Sequence, residues 1–170
     1  ILYLVFHGRV IIEHYCLKMF HRRWYVLGQL YKKKNGREKS TFSLFSLDKI
    51  VSLKLLEEKF ILPKDFDVEA YFSNYFGVIV FDGTRAERVV LRVYGNEAKD
   101  MKYRPLHHSQ KCLKECDNSV DFEFFLCPTT DFRDYIIGRG TRLKVITPKW
   151  LADEIRYKHM ESAKAYSEDK

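Results

Sequence analysis

Short alternating runs fill the first sixty residues, and they restrict the fold more than any other feature of the chain. Val10–Ile12, Leu17–Phe20, Trp24–Tyr31 and Thr41–Leu47 are rich in aromatic and β-branched residues and bounded by polar stretches. That is the pattern of half-buried strands. "ILYLVF" at the start and "KIVSLKLLEE" after Asp48 read the same way. Asn35-Gly36 sits between two of the runs, and Asn-Gly favours a two-residue hairpin because both residues tolerate positive φ. About five short strands fall within these sixty residues. The expectation is a small antiparallel barrel.

From Ile61 the pattern changes. Pro63 opens a seam in which Asp65 or Asp67 caps a short helix through Tyr75, stopped by Gly77. Beyond it both periods appear. Arg88–Gly95 reads as a strand, and "NEAKDMKYR" as a short helix ending before Pro105. Ser119–Cys127 alternates, with Val120, Phe122 and Phe124 on one face. A helix follows Pro128-Thr129-Thr130-Asp131 and stops at Gly138 or Gly140. "TRLKVITP" is a strand, and Pro148 opens a last helix with Trp150, Leu151, Ile155 and His159 at helical spacing. This order suits a split β-α-β, ferredoxin-like layer. The expected organisation is a first domain over residues 1–62, a linker with a short helix over 63–77 and a second domain over 78–170.

Charge separates the same regions. Residues 1–60 carry 12 Lys/Arg against 5 Asp/Glu, whereas residues 61–170 carry 18 of each. The whole net charge of +7 therefore lies in the first third. Such asymmetry points to an anionic partner for the first domain. No run approaches the roughly 18 apolar residues of a membrane span. "ILYLVF" lacks the basic flank and cleavage site of a signal peptide. Cys16, Cys112, Cys116 and Cys127 are too scattered for a disulfide framework, so the expected setting is reducing and cytoplasmic.

No enzyme motif is present: no GxGxxG, P-loop, HExxH or GxSxG. His107, His108, Cys112 and Cys116 are zinc-ligand types, but their spacing is not that of the familiar fingers and no second pair stands elsewhere. The simpler reading is that His107 and Ser109 make turn hydrogen bonds, while the cysteines flank a charged, helix-friendly turn as small packing residues. His14 and Cys16, two apart on a strand, share a face, yet nothing supplies a third orienting group. Trp24 and Tyr25 point to opposite faces, so one can pack while the other lies on the basic side, where an aromatic ring can stack on a base.

Four stretches taken together resemble one family. "EHYCLKMFHRRWYVLG" is similar to the segment that gives bacterial WYL domains their name, with Trp24-Tyr25-Val26 standing for Trp-Tyr-Leu. "FSLDKIVSLKLLEEKFILPKDFDVEAYFSNYFGV" resembles the stretch that follows it, in which a strand ending in Leu-Asp-Arg-Ile leads to a Pro-acidic-Phe-Asp linker. "YRPLHHSQ" and "FFLCPTTDFRDYIIGRGTRLKVITPKW" are similar to the C-terminal extension called WCX. The resemblance covers essentially the whole chain. It implies an α+β protein, an Sm/SH3-like small β-barrel (WYL) followed by a ferredoxin-like βαβ layer (WCX). It implies the ligand-sensing and dimerisation half of a bacterial transcription regulator; the residues themselves add the expectation that the chain is not an enzyme and takes no cofactor and no metal. It further implies a homodimer that would meet duplex DNA only through a missing N-terminal helix-turn-helix.

The implied ligand is an anionic nucleotide or a short single-stranded nucleic acid. Lys18, Arg22, Arg23 and Lys49 would neutralise phosphate, Tyr25 would stack a base, and Ser43 and Ser46 would donate hydrogen bonds. The loop Lys32, Lys33, Lys34 and Arg37 would add positive charge. The sequence departs from the family at Ser43 and Ser46, where arginines are common, at Lys49, where Leu-Asp-Arg-Ile has arginine, and at His14, where proline is common. One wall thus lacks the guanidinium fork that grips phosphate. That departure keeps a second reading open, a protein–protein and dimerisation module that has lost its ligand.

Overall fold

In the computed structural model, which describes residues 1–6, 8–31, 42–80 and 83–168, the chain divides into two units, Ile1–Tyr71 and Phe72–Lys170. The fold is mixed α+β, with two antiparallel sheets and four α-helices among the described residues.

The first unit holds β1 (Leu2–Val5), β2 (Arg9–Phe20), β3 (Arg23–Leu30), β4 (Phe42–Ser46), a 3-10 turn over Leu47–Lys49 and β5 (Ser52–Leu55). The sheet order is β4-β3-β2-β1-β5. Its two edges, β4 and β5, are not paired with each other, so the ladder is not the closed one expected of a barrel. The Asn35-Gly36 turn lies outside the described residues, but β3 and β4, which flank it, do pair antiparallel.

The runs Val10–Ile12 and Leu17–Phe20 belong to one strand rather than two. A bulge at Tyr15, between His14 and Cys16, puts an extra residue into β2 and breaks the period of two. It also undoes the expected pairing of His14 and Cys16. His14 lies opposite Gly28 and Cys16 opposite Leu27, so the two side chains leave the sheet on opposite faces. Burial pushes the Cys16 thiol above its ordinary pKa, the reverse of activation.

The first unit has a small core on one face, where Leu4, Ile12 and Val26 are buried against Leu2, Phe6, Val10, Phe45, Leu47 and Ile50. Gly28 is required there, since a Cβ would stand 2.6 Å from Ile12 Cδ1. The bulge turns Tyr15 into an aromatic cluster. Its ring meets Phe42 at 4.8 Å, Phe66 at 4.7 Å and Phe60 at 5.7 Å, while its hydroxyl donates to Gln29 Oε1 at 3.0 Å. Phe60 and Phe66 pin the irregular stretch that follows β5. Asp67 then caps α1 (Val68–Phe72), accepting from the backbone N–H groups of Glu69 and Ala70 at 2.8 and 3.1 Å. The helix is shorter than the sequence implies, ending three residues before Tyr75.

The second unit runs β6 (Glu87–Tyr94), α2 (Gly95–Tyr103), β7 (Lys111–Cys116), β8 (Ser119–Leu126), α3 (Thr130–Arg139), a 3-10 turn (Gly140–Arg142), β9 (Leu143–Thr147) and α4 (Lys149–Glu168). Strand order is β7-β8-β6-β9, every neighbouring pair antiparallel. Val89, Leu91 and Val93 alternate on β6, and Val120, Phe122, Phe124 and Leu126 on β8. These residues meet Ala98 and Met101 of α2, Phe132 and Ile136 of α3 and Leu151 and Ile155 of α4 in one buried cluster. The opposite face carries the cross-strand row Lys114–Asp121–Arg92–Lys144, with Arg92 forked onto Asp121 at 2.7 and 2.8 Å.

The segment between Cys112 and Cys116, expected as a helix-friendly turn, is strand β7. All six of its residues are exposed, so no apolar alternation could mark it, and only pairing with β8 across Asp117-Asn118 makes it a strand. Asp131, at the start of α3, accepts from the backbone N–H groups of Val78 and Ile79 at 2.8 and 2.6 Å. A Cβ on Gly77 would stand 2.7 Å from Asp131 Cβ, so this close approach needs glycine. No described helix is long and apolar enough to cross a membrane.

Candidate anion-binding face

The hairpin joining β2 to β3 positions most of the residues singled out in the sequence. Phe20 pairs with Arg23, leaving His21 and Arg22 as a two-residue turn. Both have positive φ, 48° and 64°. A tight turn that follows the right-handed twist of the strands demands this, and Asn-Gly normally supplies it. Here His and Arg supply it against the Cβ penalty, which places the Arg22 side chain at an exposed tip.

From that tip the register builds a face. Lys18 lies opposite Tyr25, and Tyr25 opposite Ser46, so β2, β3 and β4 contribute one residue each to a single cross-strand row. Directly opposed side chains stand about 5 Å apart at Cβ. Arg23 is two residues before Tyr25 and shares its face. β4 then leads into the 3-10 turn bearing Asp48 and Lys49. Arg23 Nε is 3.5 Å from Asp48 Oδ2, and the Ser46 hydroxyl donates to Asp48 Oδ1. That hydrogen bond, with Arg23 and Lys49 close by, holds the Asp48 carboxyl below the usual carboxylate range. Lys18 and Arg23 thus share the face of Tyr25, with the Asp48 carboxylate beside Arg23, while Arg22 lies at the adjoining turn and Lys49 next to Asp48 on the 3-10 turn.

Ser43 does not join them. It pairs with Gly28, and, three residues from Ser46, it leaves β4 on the other face. Lys32, Lys33, Lys34 and Arg37 lie outside the described residues. Trp24 lies opposite Met19 on the reverse of the hairpin, where Leu17, Met19 and Trp24 are 59%, 61% and 50% exposed. Val26, not Trp24, fills the core beneath. Asp48 is the member that sequence reading missed. The signal was present as Ser46-Leu47-Asp48, a hydroxyl two residues before a carboxylate, the spacing of a local side-chain turn.

Among the described residues no group of three His, Cys, Asp or Glu could hold a metal ion. His107 and Ser109 make the turn hydrogen bonds expected of them: His107 Nδ1 is 2.8 Å from Ser109 Oγ, which exchanges hydrogen bonds with the Phe125 backbone at 2.9 and 3.1 Å.

No protein-family profile matches the chain, and no curated protein sequence matches it. Solved structures do. The crystal structure of a CRISPR Cas-related protein aligns with 99% of this chain at a TM-score of 0.54 and 14% identity. The chain spans about half of that protein, 47% of its length. The proteasome accessory factor B/C (PafBC) of Arthrobacter aurescens aligns with 91% of this chain and 23% of its own, at a TM-score of 0.34 and 13% identity. The first likeness shows a shared fold.

Proposed function

We propose that the chain is the ligand-sensing and dimerising part of a WYL-type bacterial transcription regulator, whose first unit takes an anionic nucleotide or a short single-stranded nucleic acid. The observation that carries this is the row Lys18–Tyr25–Ser46 with Arg22, Arg23 and Lys49 beside it. Cations beside a half-buried aromatic ring fit a phosphate backbone with a stacked base. The small-barrel reading of the first unit, which requires β4 to close on β5, is part of the same proposal; the described strands form an open sheet of order β4-β3-β2-β1-β5. The order β-α-β-β-α-β supports the ferredoxin-like reading of the second. Pairing of two copies through residues 85–170 belongs to the same proposal, by the two-fold symmetry that is commonest among oligomers. Light scattering that finds only monomer at high micromolar concentration counts against that part.

Fluorescence anisotropy with a labelled oligothymidylate, repeated across salt concentrations, tests the ligand. Three or four phosphate contacts give a slope of roughly −2 to −3 in log affinity against log salt. A parent protein that binds no oligonucleotide at low salt overturns the reading. A protein–protein module without a nucleic-acid ligand then takes its place, favoured by the exposed Leu17, Met19 and Trp24 on the reverse of the hairpin.

A further inference from the structure

We infer that Asp48 is an internal counter-anion that occupies Arg23 and so sets how tightly the first unit takes a phosphate ligand. The inference rests on the ligand reading above and names a control on that same face. Among the described residues, Asp48 is the ion-pair partner of Arg23, at 3.5 Å from Nε. The Ser46 hydroxyl is tied to the other oxygen of the same carboxylate. Two of the groups expected to meet phosphate are therefore already engaged, by a group that presents two oxygens as a phosphate would. Arg22, one residue away at the exposed turn, has no ion pair among the described residues.

The pair is placed to be exchanged rather than to hold the fold. The side chains of Arg23 and Asp48 are 58% and 48% exposed, and exposed ion pairs add little to stability. Asp48 sits on a 3-10 turn at the end of β4, not within the ladder. A phosphate that reaches Arg23 through Nε displaces this carboxylate, and the Ser46 hydroxyl is released with it. The cost of that displacement weakens binding and spares the face from taking up any small anion. The ordinary alternative is that Asp48 only pins the turn, in which case Arg23 meets phosphate as freely as Arg22 does.

A four-protein cycle separates the two. The parent, Asp48→Asn, Arg23→Ala and the double variant are titrated with labelled oligothymidylate by anisotropy at several salt concentrations. Glu57→Gln serves as the control for the same charge change away from Arg23. Asn keeps the size of the side chain and can still accept from Ser46, so the fold is retained, as thermal melts verify. Asp48→Asn is expected to tighten binding severalfold and to steepen the salt slope by about 0.7, one released counterion contact. Arg23→Ala is expected to change the parent slope little but to abolish the gain in the Asp48→Asn background. Equal effects of Arg23→Ala in both backgrounds, or a gain from Glu57→Gln as large as that from Asp48→Asn, overturn the inference while leaving the ligand reading intact. No binding by any of the proteins at low salt overturns the ligand reading, and this inference with it.

Discussion

The two units divide stability and surface chemistry between them. The second has fifteen buried residues in one cluster, drawn from three helices and three strands. Among the described residues the first has three buried residues in its core cluster, supplemented by the rings around Tyr15. Yet the first sixty residues hold the entire net charge, and β5 is exposed at all four positions. A region that buries little can leave cations and aromatic rings at its surface, and anything that binds only its folded form adds stability there by mass action. The difference shows where the chain packs and where it leaves charge and rings at the surface.

The sharpest way to break this comparison is to damage one unit and watch the other. Phe124 is fully buried at the centre of the second core. Phe124→Ala is expected to cost about 3–5 kcal/mol, by lost transfer energy and the cavity left behind. The loss should appear in the unfolding step of the second unit, while a Trp24 fluorescence signal from the first unit keeps its midpoint; replacing Trp150 with Phe makes that signal unambiguous. A single shared transition that moves as a whole would show that the units are one cooperative body.

Next in size is the glycine that sets the start of the second unit. Gly77→Ala pushes a methyl group against Asp131, whose carboxylate holds the N–H groups of Val78 and Ile79. Overpacking of this kind costs about 1–3 kcal/mol. Urea denaturation would measure it, and an unchanged midpoint would mean that the Asp131 contact yields freely.

How much of this was readable in advance differs between the units for a physical reason. In the second unit a buried face imposes its period on the sequence. Val120, Phe122 and Phe124 alternate, and Leu151 and Ile155 lie four apart, so β8 and α4 were legible from their residues alone. β7 was not, because an edge strand exposed on both faces has no apolar period to show. In the first unit the bulge at Tyr15 hid one long strand as two and turned His14 away from Cys16. The basic face was legible in part. Lys18 and Tyr25 can be picked out from the sequence, but that they stand opposite each other is a matter of register, and Ser43 falls on the other face by an odd spacing. Asp48 does not stand out in a sequence whose signal is an excess of cations, and only the geometry shows what one of them is paired with.

Of comparable size is the contrast across the hairpin. If the basic face stacks a base, Tyr25→Ala weakens oligonucleotide binding by about 1–3 kcal/mol and leaves the salt slope nearly unchanged. Trp24→Ala, on the reverse face, leaves affinity at the parent value. Equal losses from both would mean that the hairpin binds through its shape or its stability rather than through one face.

The smallest expected effect lies in the turn itself. His21 and Arg22 both hold positive φ, a conformation that costs an L side chain roughly 1–2 kcal/mol each. Glycine there removes the Cβ clash but adds disorder to the unfolded chain, about 0.5–1 kcal/mol. The balance predicts that His21→Gly raises stability by about 0.5–1 kcal/mol, with ligand affinity and salt slope unchanged. Arg22→Gly should bring a similar gain in stability and a different cost, since it deletes the cation at the tip and flattens the salt slope by about 0.7. Strain kept at a position where a simpler residue would relieve it invites a functional reading, but only when removing it damages function. The pair of variants makes that distinction within one turn, because backbone relief is common to both and only Arg22 carries the charge. A slope left unchanged by Arg22→Gly would make the strained arginine an accident of the hairpin, and would move the phosphate contacts to Lys18, Lys49 and whatever Asp48 leaves of Arg23.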